Sequence, residues 1–238
     1  QSLLKSNDYN LVYKKAIEYY NKGDYQRAMN LLDGVRSVFV GQAKAQNIAY
    51  YRAFCSYNMK DYQIASDLFK QFIQTYPESS FAEECLYMMG FCDYKASPKP
   101  RLDQQVTEKA IREFQLYLSR YPYSMRKDKV NTYMDEMRDK LSYKAYLSAK
   151  NYYLREHYKA AVISLQNCLK DYPGSKYREE IMYMLFVSKY QMAVNSVEDK
   201  KVERYNNARE EYYYFADEYP NSRYAADVKK MYEDIEAY

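Results

Sequence analysis

The chain has 238 residues, of which 47% are hydrophobic, and this composition excludes an intrinsically disordered protein. Its net charge of +4 comes from 36 basic and 32 acidic residues that are mixed along the chain, so nucleic acid, which selects a clustered basic face, is not an expected partner. Tyrosine accounts for 33 residues, whereas the 5 Gly and 6 Pro are too few to supply the turns of a many-stranded sheet.

No segment predicts a membrane-spanning helix. The longest strongly apolar run, Met182 to Val187, is far shorter than the roughly 20 residues that cross a bilayer. The chain starts at Gln1 without the charged and apolar residues of a signal peptide, so we expect any such segment to have been removed or to lie outside this sequence.

The first predicted helix pair shows the spacing that the rest of the chain repeats. Ala16 lies on the inner side of its first helix, and Tyr20 precedes the polar turn Gly23-Asp24-Tyr25. Ala28 and then Leu32 follow in the second helix. Small residues let paired helices approach closely, and large apolar residues fill the space between pairs. The pattern therefore predicts a helix, a tight turn and a second helix.

The same order returns four more times along the chain. The corresponding small and apolar residues are Ala53, Ala65 and Phe69, then Gly90, Ala110 and Phe114, then Ala149, Ala161 and Leu165, and finally Ala208 in the fifth pair. A regular interval of this length is the sequence signature of a repeat protein.

Four Tyr-Pro-x-Ser segments separate the pairs, at 76–79, 121–124, 172–175 and 219–222. Proline cannot continue a helix, so each segment is predicted to end one. The serine that follows is expected to cap the next helix, and Glu83 stands three residues after Ser80 as in a capping box.

Two insertions lengthen the turn between paired helices, KASPKPRLDQQ in the third pair and NSVEDKKVER in the fifth, and both are predicted to be loops. Between them, apolar residues at helical spacing predict one helix from about Lys127 to Tyr153, a rigid strut between residues 1–125 and 126–238. At the end of the chain, Tyr224, Val228, Met231 and Ile235 form one stripe of a capping helix.

These spacings resemble the tetratricopeptide repeat over essentially the whole chain. The order of small residue, Tyr, Gly-Asp-Tyr turn, Ala, aromatic residue and Pro matches its 34-residue unit. The predicted fold class is therefore all-α, a right-handed tetratricopeptide-repeat superhelix of five helix pairs plus a C-terminal capping helix.

The sequence offers little for catalysis, and we predict no enzyme, no cofactor and no metal. His157, the single histidine, falls in a turn where other repeats have Asp. Cys55, Cys85, Cys92 and Cys168 lack metal-ligand spacing and are expected to be small, unpaired core residues.

Binding through an extended face is the alternative, because stacked helix pairs line such a face with their first helices. The repeat alignment places ten residues of repeats one to three there: Tyr13, Ile17, Tyr20, Asn47, Tyr50, Phe54, Tyr57, Tyr87, Phe91 and Tyr94. Tyrosine offers apolar area with a hydrogen-bonding tip, which suits an extended peptide with aromatic side chains. The competing interpretation is that most of these side chains belong to the core.

Details beyond the generic repeat resemble the BamD family of outer-membrane assembly lipoproteins, in its Bacteroidota-type form. The residues that carry the resemblance are the opening segment 5–9 with the helix start 13–16, the Gly23-Asp24-Tyr25 turn, the inserted Ser97 to Gln104, and Ala110 to Phe114.

The resemblance implies a non-enzymatic scaffold on the periplasmic face of the outer membrane, anchored by an acylated Cys upstream of Gln1. Its implied partners are unfolded outer-membrane proteins, whose aromatic-ending C-terminal segments would bind the aromatic face, other assembly lipoproteins, and a BamA-type barrel protein. For BamA docking, the fifth-repeat insertion suggests Lys200, Lys201 and Arg204, which could instead form a solvated charged loop.

Two other protein classes remain open at this stage. A periplasmic adaptor of the tol-associated type would share the repeats but not the Pro-Lys-Pro-Arg-Leu-Asp-Gln insertion. A cytosolic adaptor would lack the upstream lipid-attachment site. The carboxylate grip of cytosolic co-chaperone repeats needs Lys and Asn at inner positions that here hold Tyr and Ile or Phe.

Overall fold

The computed structural model describes residues 8–237, and every regular element in this range is an α-helix. The eleven helices of this range are α1 (Tyr9–Asn21), α2 (Tyr25–Val35), α3 (Ala43–Asn58), α4 (Tyr62–Thr75), α5 (Ala82–Ala96), α6 (Gln105–Arg120), α7 (Lys127–Leu154), α8 (Tyr158–Asp171), α9 (Arg178–Val194), α10 (Glu198–Glu218) and α11 (Ala225–Glu236). α1 packs on α2, α3 on α4, α5 on α6, and α9 on α10. In the fourth pair, Ala149 of α7 shares a core cluster with Ala161 and Leu165 of α8. The prediction of five helix pairs and a final helix is confirmed, and the fold is of the tetratricopeptide-repeat class.

The chain forms two compact units, Gln1–Met137 and Arg138–Tyr238. The division falls within α7, whereas the sequence predicts a boundary at 125/126, just before that helix. α7 itself begins at the predicted residue, Lys127, and ends one residue past the predicted Tyr153. Among residues 8–237, none of the helices contains an apolar stretch that could span a bilayer.

The small residues of the repeat pattern are buried in the core, as predicted. Those with no exposed surface are Ala16, Ala28, Ala53, Ala65, Ala110, Ala149, Ala161 and Ala208. Gly90 shows why size matters at these sites, because a Cβ at this position would lie 2.9 Å from the Phe114 ring. The absence of a side chain thus allows α5 and α6 to pack closely. All four cysteines are buried and unpaired, as expected.

The Tyr-Pro-x-Ser segments form turns that end one helix pair and precede the next. In each segment the serine N–H donates to the tyrosine carbonyl, over 3.0 to 3.2 Å. The following helix begins three residues later, for example at Ala82 after Ser79. The prediction that this serine caps the next helix is therefore wrong, because an additional turn separates them. Its Oγ instead accepts the backbone N–H two residues on, as Phe81 donates to Ser79 over 3.2 Å.

The predicted capping box at Ser80 is also wrong. Glu83 does not reach back along its own helix. Its Oε1 accepts hydrogen bonds from Tyr117 Oη at 2.9 Å and Ser124 Oγ at 2.8 Å. Each turn serine is in fact bonded to the first helix of the preceding pair: Ser79 to Gln46, Ser124 to Glu83, Ser175 to Ser142, and Ser222 to Glu179. Each serine therefore holds its turn against the helix pair that the turn ends.

The two insertions have different structures. The first is a loop, as predicted, and the side chain of Gln104 closes it by donating to the carbonyls of Lys99 at 2.8 Å and Leu102 at 3.1 Å. The second insertion is mostly helical, since only residues 195–197 separate α9 from α10. The prediction of a charged loop there is wrong, because its run of charged residues extends the N-terminus of α10. Residues 5–7 of the family-like opening segment lie outside the described residues.

Candidate functional site

The predicted binding face lies on α1, α3 and α5 of the first unit. Its side chains are half-buried, except that Tyr87 is only 8% exposed and belongs to the core. Half-burial agrees in part with a peptide-binding face and in part with core packing, because one side of each half-buried ring packs inward while the other remains accessible. Tyr13 stands apart from the rest, with its ring 6.2 Å from Phe39.

The other rings of this face form one connected set, which we call the aromatic cluster. Its members are Tyr20, Tyr50, Tyr51, Phe54, Tyr57, Tyr87, Phe91, Tyr94 and Tyr133. Centroid distances within it include 4.6 Å between Tyr50 and Phe54, and 6.2 Å between Tyr57 and Phe91. These separations are in the range in which aromatic pairs attract one another. The cluster is therefore a preorganised apolar surface.

Tyrosine hydroxyls at this face bond to acidic residues of the following repeat. Tyr50 Oη donates to Glu84 Oε2 at 2.8 Å, and Tyr94 Oη donates to Glu136 Oε2 at 2.5 Å. The bond to Glu136, together with burial, raises the pKa of Tyr94 to about 12, and burial raises the pKa of Tyr20 to about 12. The hydroxyls therefore stay protonated at neutral pH and act as donors.

Cationic side chains lie over several rings of the cluster. Lys95 Nζ is 5.2 Å from the Phe91 centroid, and Lys129 Nζ is 5.9 Å from the Tyr133 centroid. Both lysines are exposed, and neither forms an ion pair with any described residue. Arg126 lies over Tyr87 at 4.9 Å and is 3.7 Å from Glu84. The aromatic surface thus has ammonium groups beside it that are available to a negatively charged ligand.

Two members of the cluster, Tyr51 and Tyr133, are absent from the predicted set. Tyr133 stacks on Tyr94 at 4.5 Å and lies 5.5 Å from Phe91. Its place on the apolar stripe of α7 is a signal in the sequence, but by itself that stripe predicts only helix packing. Tyr51 bridges Tyr20 and Tyr50 from a position next to a predicted residue.

The residues predicted for partner docking lie at the start of α10 in the second unit. Lys200 is exposed, and Lys201 pairs with Glu198 at 3.0 Å. Arg204 donates to the Met192 carbonyl at 3.2 Å and to Ser196 Oγ, which fixes the connection between α9 and α10.

Arg204 also lines an open cleft of about 680 Å³ between α8, α9 and α10. Other residues of this cleft are His157, Tyr158, Ile163 and Met192. His157 occupies the N-cap position of α8, where its side chain makes no capping bond. The N-cap position is the one that Asp24 and Asp61 occupy in other repeats, so His157 lies where the sequence predicts it.

Nothing in the described range assembles a group of side chains suited to holding a metal ion. The paired first-turn carboxylates all accept hydrogen bonds. Glu84 and Glu180 accept from a tyrosine of the preceding repeat, whereas Glu83 and Glu179 accept from their own helix pair or from the turn that follows it.

The chain is similar to one family of known proteins and to several solved structures. The family model described as YfiO, outer membrane lipoprotein, matches residues 5–180 and also 144–237. A solved TPR repeats protein from Bacteroides fragilis is 13% identical, with 98% of this chain and 99% of that chain covered and a TM-score of 0.45. The TPR2AB-domain:pHSP90 complex of yeast Sti1 is 14% identical, with 96% and 98% covered and a TM-score of 0.43. No curated protein matches the chain.

Proposed function

This chain belongs to the YfiO family of outer membrane lipoproteins, and from that membership we propose that it is a non-enzymatic scaffold for the assembly of outer-membrane β-barrel proteins. In this role the first unit recognises the C-terminal segments of unfolded outer-membrane proteins, and the second unit docks on a BamA-type barrel protein. The family match spans both units, which favours this role over that of a tol-associated adaptor.

The observation that carries substrate recognition is the aromatic cluster with its unpaired lysines. An aromatic side chain of an extended peptide can stack on the accessible edges of half-buried rings such as Tyr57 and Tyr94. Because the rings already contact one another, little conformational entropy is lost when the ligand binds.

The position of Lys95 and Lys129 supports recognition of a peptide terminus. A C-terminal aromatic residue carries a carboxylate close to its ring, and each ammonium lies within 6 Å of a ring of the cluster. The ring and the carboxylate of one residue can therefore be bound together. This arrangement differs from the Lys and Asn grip that the sequence excludes, because here the cations flank aromatic side chains.

For docking on the barrel protein we propose the start of α10 and the neighbouring cleft. Lys200 and Lys201 supply positive charge, while Ile163, 56% exposed, and Met192 supply apolar surface. Arg204 contributes by holding the α9–α10 connection in place. The attachment of the chain to the outer membrane through an acylated Cys, and its contacts with other assembly lipoproteins, belong to the same proposal.

Peptide binding tests substrate recognition directly. Fluorescence anisotropy with a labelled peptide that ends in Phe is compared with the same peptide ending in Ala and with its C-terminal amide. We expect the Phe peptide with a free carboxylate to bind most tightly, and each change to weaken binding about fivefold or more. Equal affinity of the Phe and Ala peptides would overturn the proposed recognition.

Docking is tested with the soluble periplasmic domains of a BamA-type protein. The double variant Lys200→Glu, Lys201→Glu is expected to weaken this complex at least tenfold. A matched double variant, Lys229→Glu and Lys230→Glu, reverses two exposed lysines of α11 and is expected to leave it unchanged. Equal loss in the two variants would show a general charge effect rather than a docking site.

A further inference from the structure

A cavity of about 360 Å³ opens in the first unit between α4, α5 and α6, and the residues of the aromatic cluster do not line it. Its inner wall is apolar, formed by Leu86 and Met89, which are buried, together with Ile73. Leu116, half-exposed, lies at its mouth. The volume is within the range of pockets that hold a small ligand or a large side chain.

A buried carboxyl lines this cavity. Glu113 is only 8% exposed, and its Oε2 is buried with no hydrogen-bond partner among residues 8–237. The other oxygen, Oε1, lies 3.7 Å from Lys109 Nζ. Asp93 in turn accepts from Ser66 at 3.0 Å and pairs with Lys109 at 2.8 Å.

This arrangement makes Oε2 an acceptor that needs a donor. Burial and the neighbouring Asp93 raise the pKa of Glu113 to about 8, so the group is mainly protonated at neutral pH. Glu113 is one of the residues that line the apolar cavity, and its Oε2 has no hydrogen-bond donor among residues 8–237. An unsatisfied buried acceptor is destabilising, and a ligand that donates a hydrogen bond there removes the penalty.

The mouth of the cavity is positively charged. Lys70 and Arg112 both line it and are exposed, and neither bonds to another described side chain. An approaching acidic segment would therefore meet two available cations before its side chain enters the cavity.

We propose that this cavity binds an acidic segment of a partner protein by accepting one tyrosine side chain. The ring packs against Leu86 and Met89, and its hydroxyl donates to Glu113 Oε2. Acidic residues next to the tyrosine pair with Lys70 and Arg112. Tyrosine fits this site better than an aliphatic side chain, because only a side chain with a donor at its tip satisfies the carboxyl.

The test uses a labelled, amidated peptide in which one tyrosine is flanked by glutamates, titrated with the full chain by fluorescence anisotropy. Replacing the peptide tyrosine with Phe is expected to weaken binding about tenfold, the loss of one hydrogen bond to a buried group. Arg112→Glu is expected to weaken it to a similar extent. Arg101→Glu, at an exposed arginine outside the cavity, serves as the control and should bind as the wild type does.

Three results would overturn this proposal. They are equal affinity for the Tyr and Phe peptides, equal affinity of wild type and Arg112→Glu, and no binding at millimolar peptide. If N-acetyl-tyrosine binds as tightly as the peptide, the cavity takes a small molecule and the assignment to a partner segment is wrong. All of these outcomes are independent of the aromatic cluster.

Discussion

The hydroxyl of Tyr50 in α3 donates a hydrogen bond of 2.8 Å to the carboxylate of Glu84 in α5. The second unit repeats the relationship, with Tyr146 donating to Glu180 at 2.9 Å. In both cases the acceptor lies 34 residues after the donor, one repeat further along the chain. The tyrosine of one helix pair thus connects it to the next, and this explains part of the high tyrosine content.

We predict that Tyr50→Phe lowers the free energy of unfolding by about 1 kcal/mol, or somewhat more because Glu84 loses a donor. The ring is kept, so the packing against Phe54 and Phe81 remains. Chemical denaturation monitored by circular dichroism measures the change. Tyr123→Phe is the control, because this tyrosine is fully exposed and its replacement should have no effect.

The turns inside the helix pairs predict opposite effects of two substitutions. Gly23 has φ of 80°, and the equivalent Lys60 has φ of 67°, a conformation that disfavours residues with a Cβ. Gly23→Ala should therefore lower stability by about 1 kcal/mol, whereas Lys60→Gly should raise it by up to about 1 kcal/mol. Thermal denaturation measures each, and a loss of stability in Lys60→Gly would contradict the account.

Glu113 predicts a pH dependence of stability. Burial, with the adjacent Asp93, raises its pKa from the ordinary 4.5 to about 8, so the folded chain holds a proton that the unfolded chain releases between these values. Stability should therefore decrease as pH rises from about 4.5 to about 8, by on the order of 1 kcal/mol per pH unit for this group. Glu113→Gln cannot titrate, and denaturation curves of the two proteins across this range should diverge accordingly. Parallel curves would show that Glu113 has an ordinary pKa.

The cysteines predict low thiol reactivity in the folded protein. Burial raises the pKa of Cys55 and Cys85 to about 12, and that of Cys168 to about 11. The reactive thiolate is therefore scarce at pH 8, and the sulfurs are also inaccessible. Titration with a disulfide reagent should detect almost no thiol before unfolding and all four cysteines after it. Rapid reaction of the folded chain would contradict the burial of these residues.

The helices and their order could be predicted because the repeat pattern is dense. Alanines such as Ala28 and Ala161 recur at fixed intervals, and each proved to be fully buried. The ends of the elements were harder to predict. A serine after a proline is consistent with a cap or with a turn. The start of α5 at Ala82 and the bond from Ser79 to Gln46, 33 residues away, show that Ser79 belongs to a turn.

The binding face could be predicted only in part. Helical spacing placed Tyr50 and Phe91 on one face, but it could not show that Tyr87 turns inward or that Tyr133 of α7 completes the cluster. Those outcomes depend on contacts between repeats, which a single sequence does not display. Glu113 was missed for the same reason, since its surroundings come from three helices.

The central claim is that the aromatic cluster binds peptides that end in an aromatic residue. The most direct measurement is the affinity of a Phe-ending peptide for the double variant Tyr50→Ala, Phe91→Ala, after circular dichroism has shown that the variant is folded. Tyr146→Ala, which removes the equivalent tyrosine of the second unit, is the control. The account predicts at least tenfold weaker binding by the double variant and unchanged binding by the control. Unchanged binding by the folded double variant would contradict it.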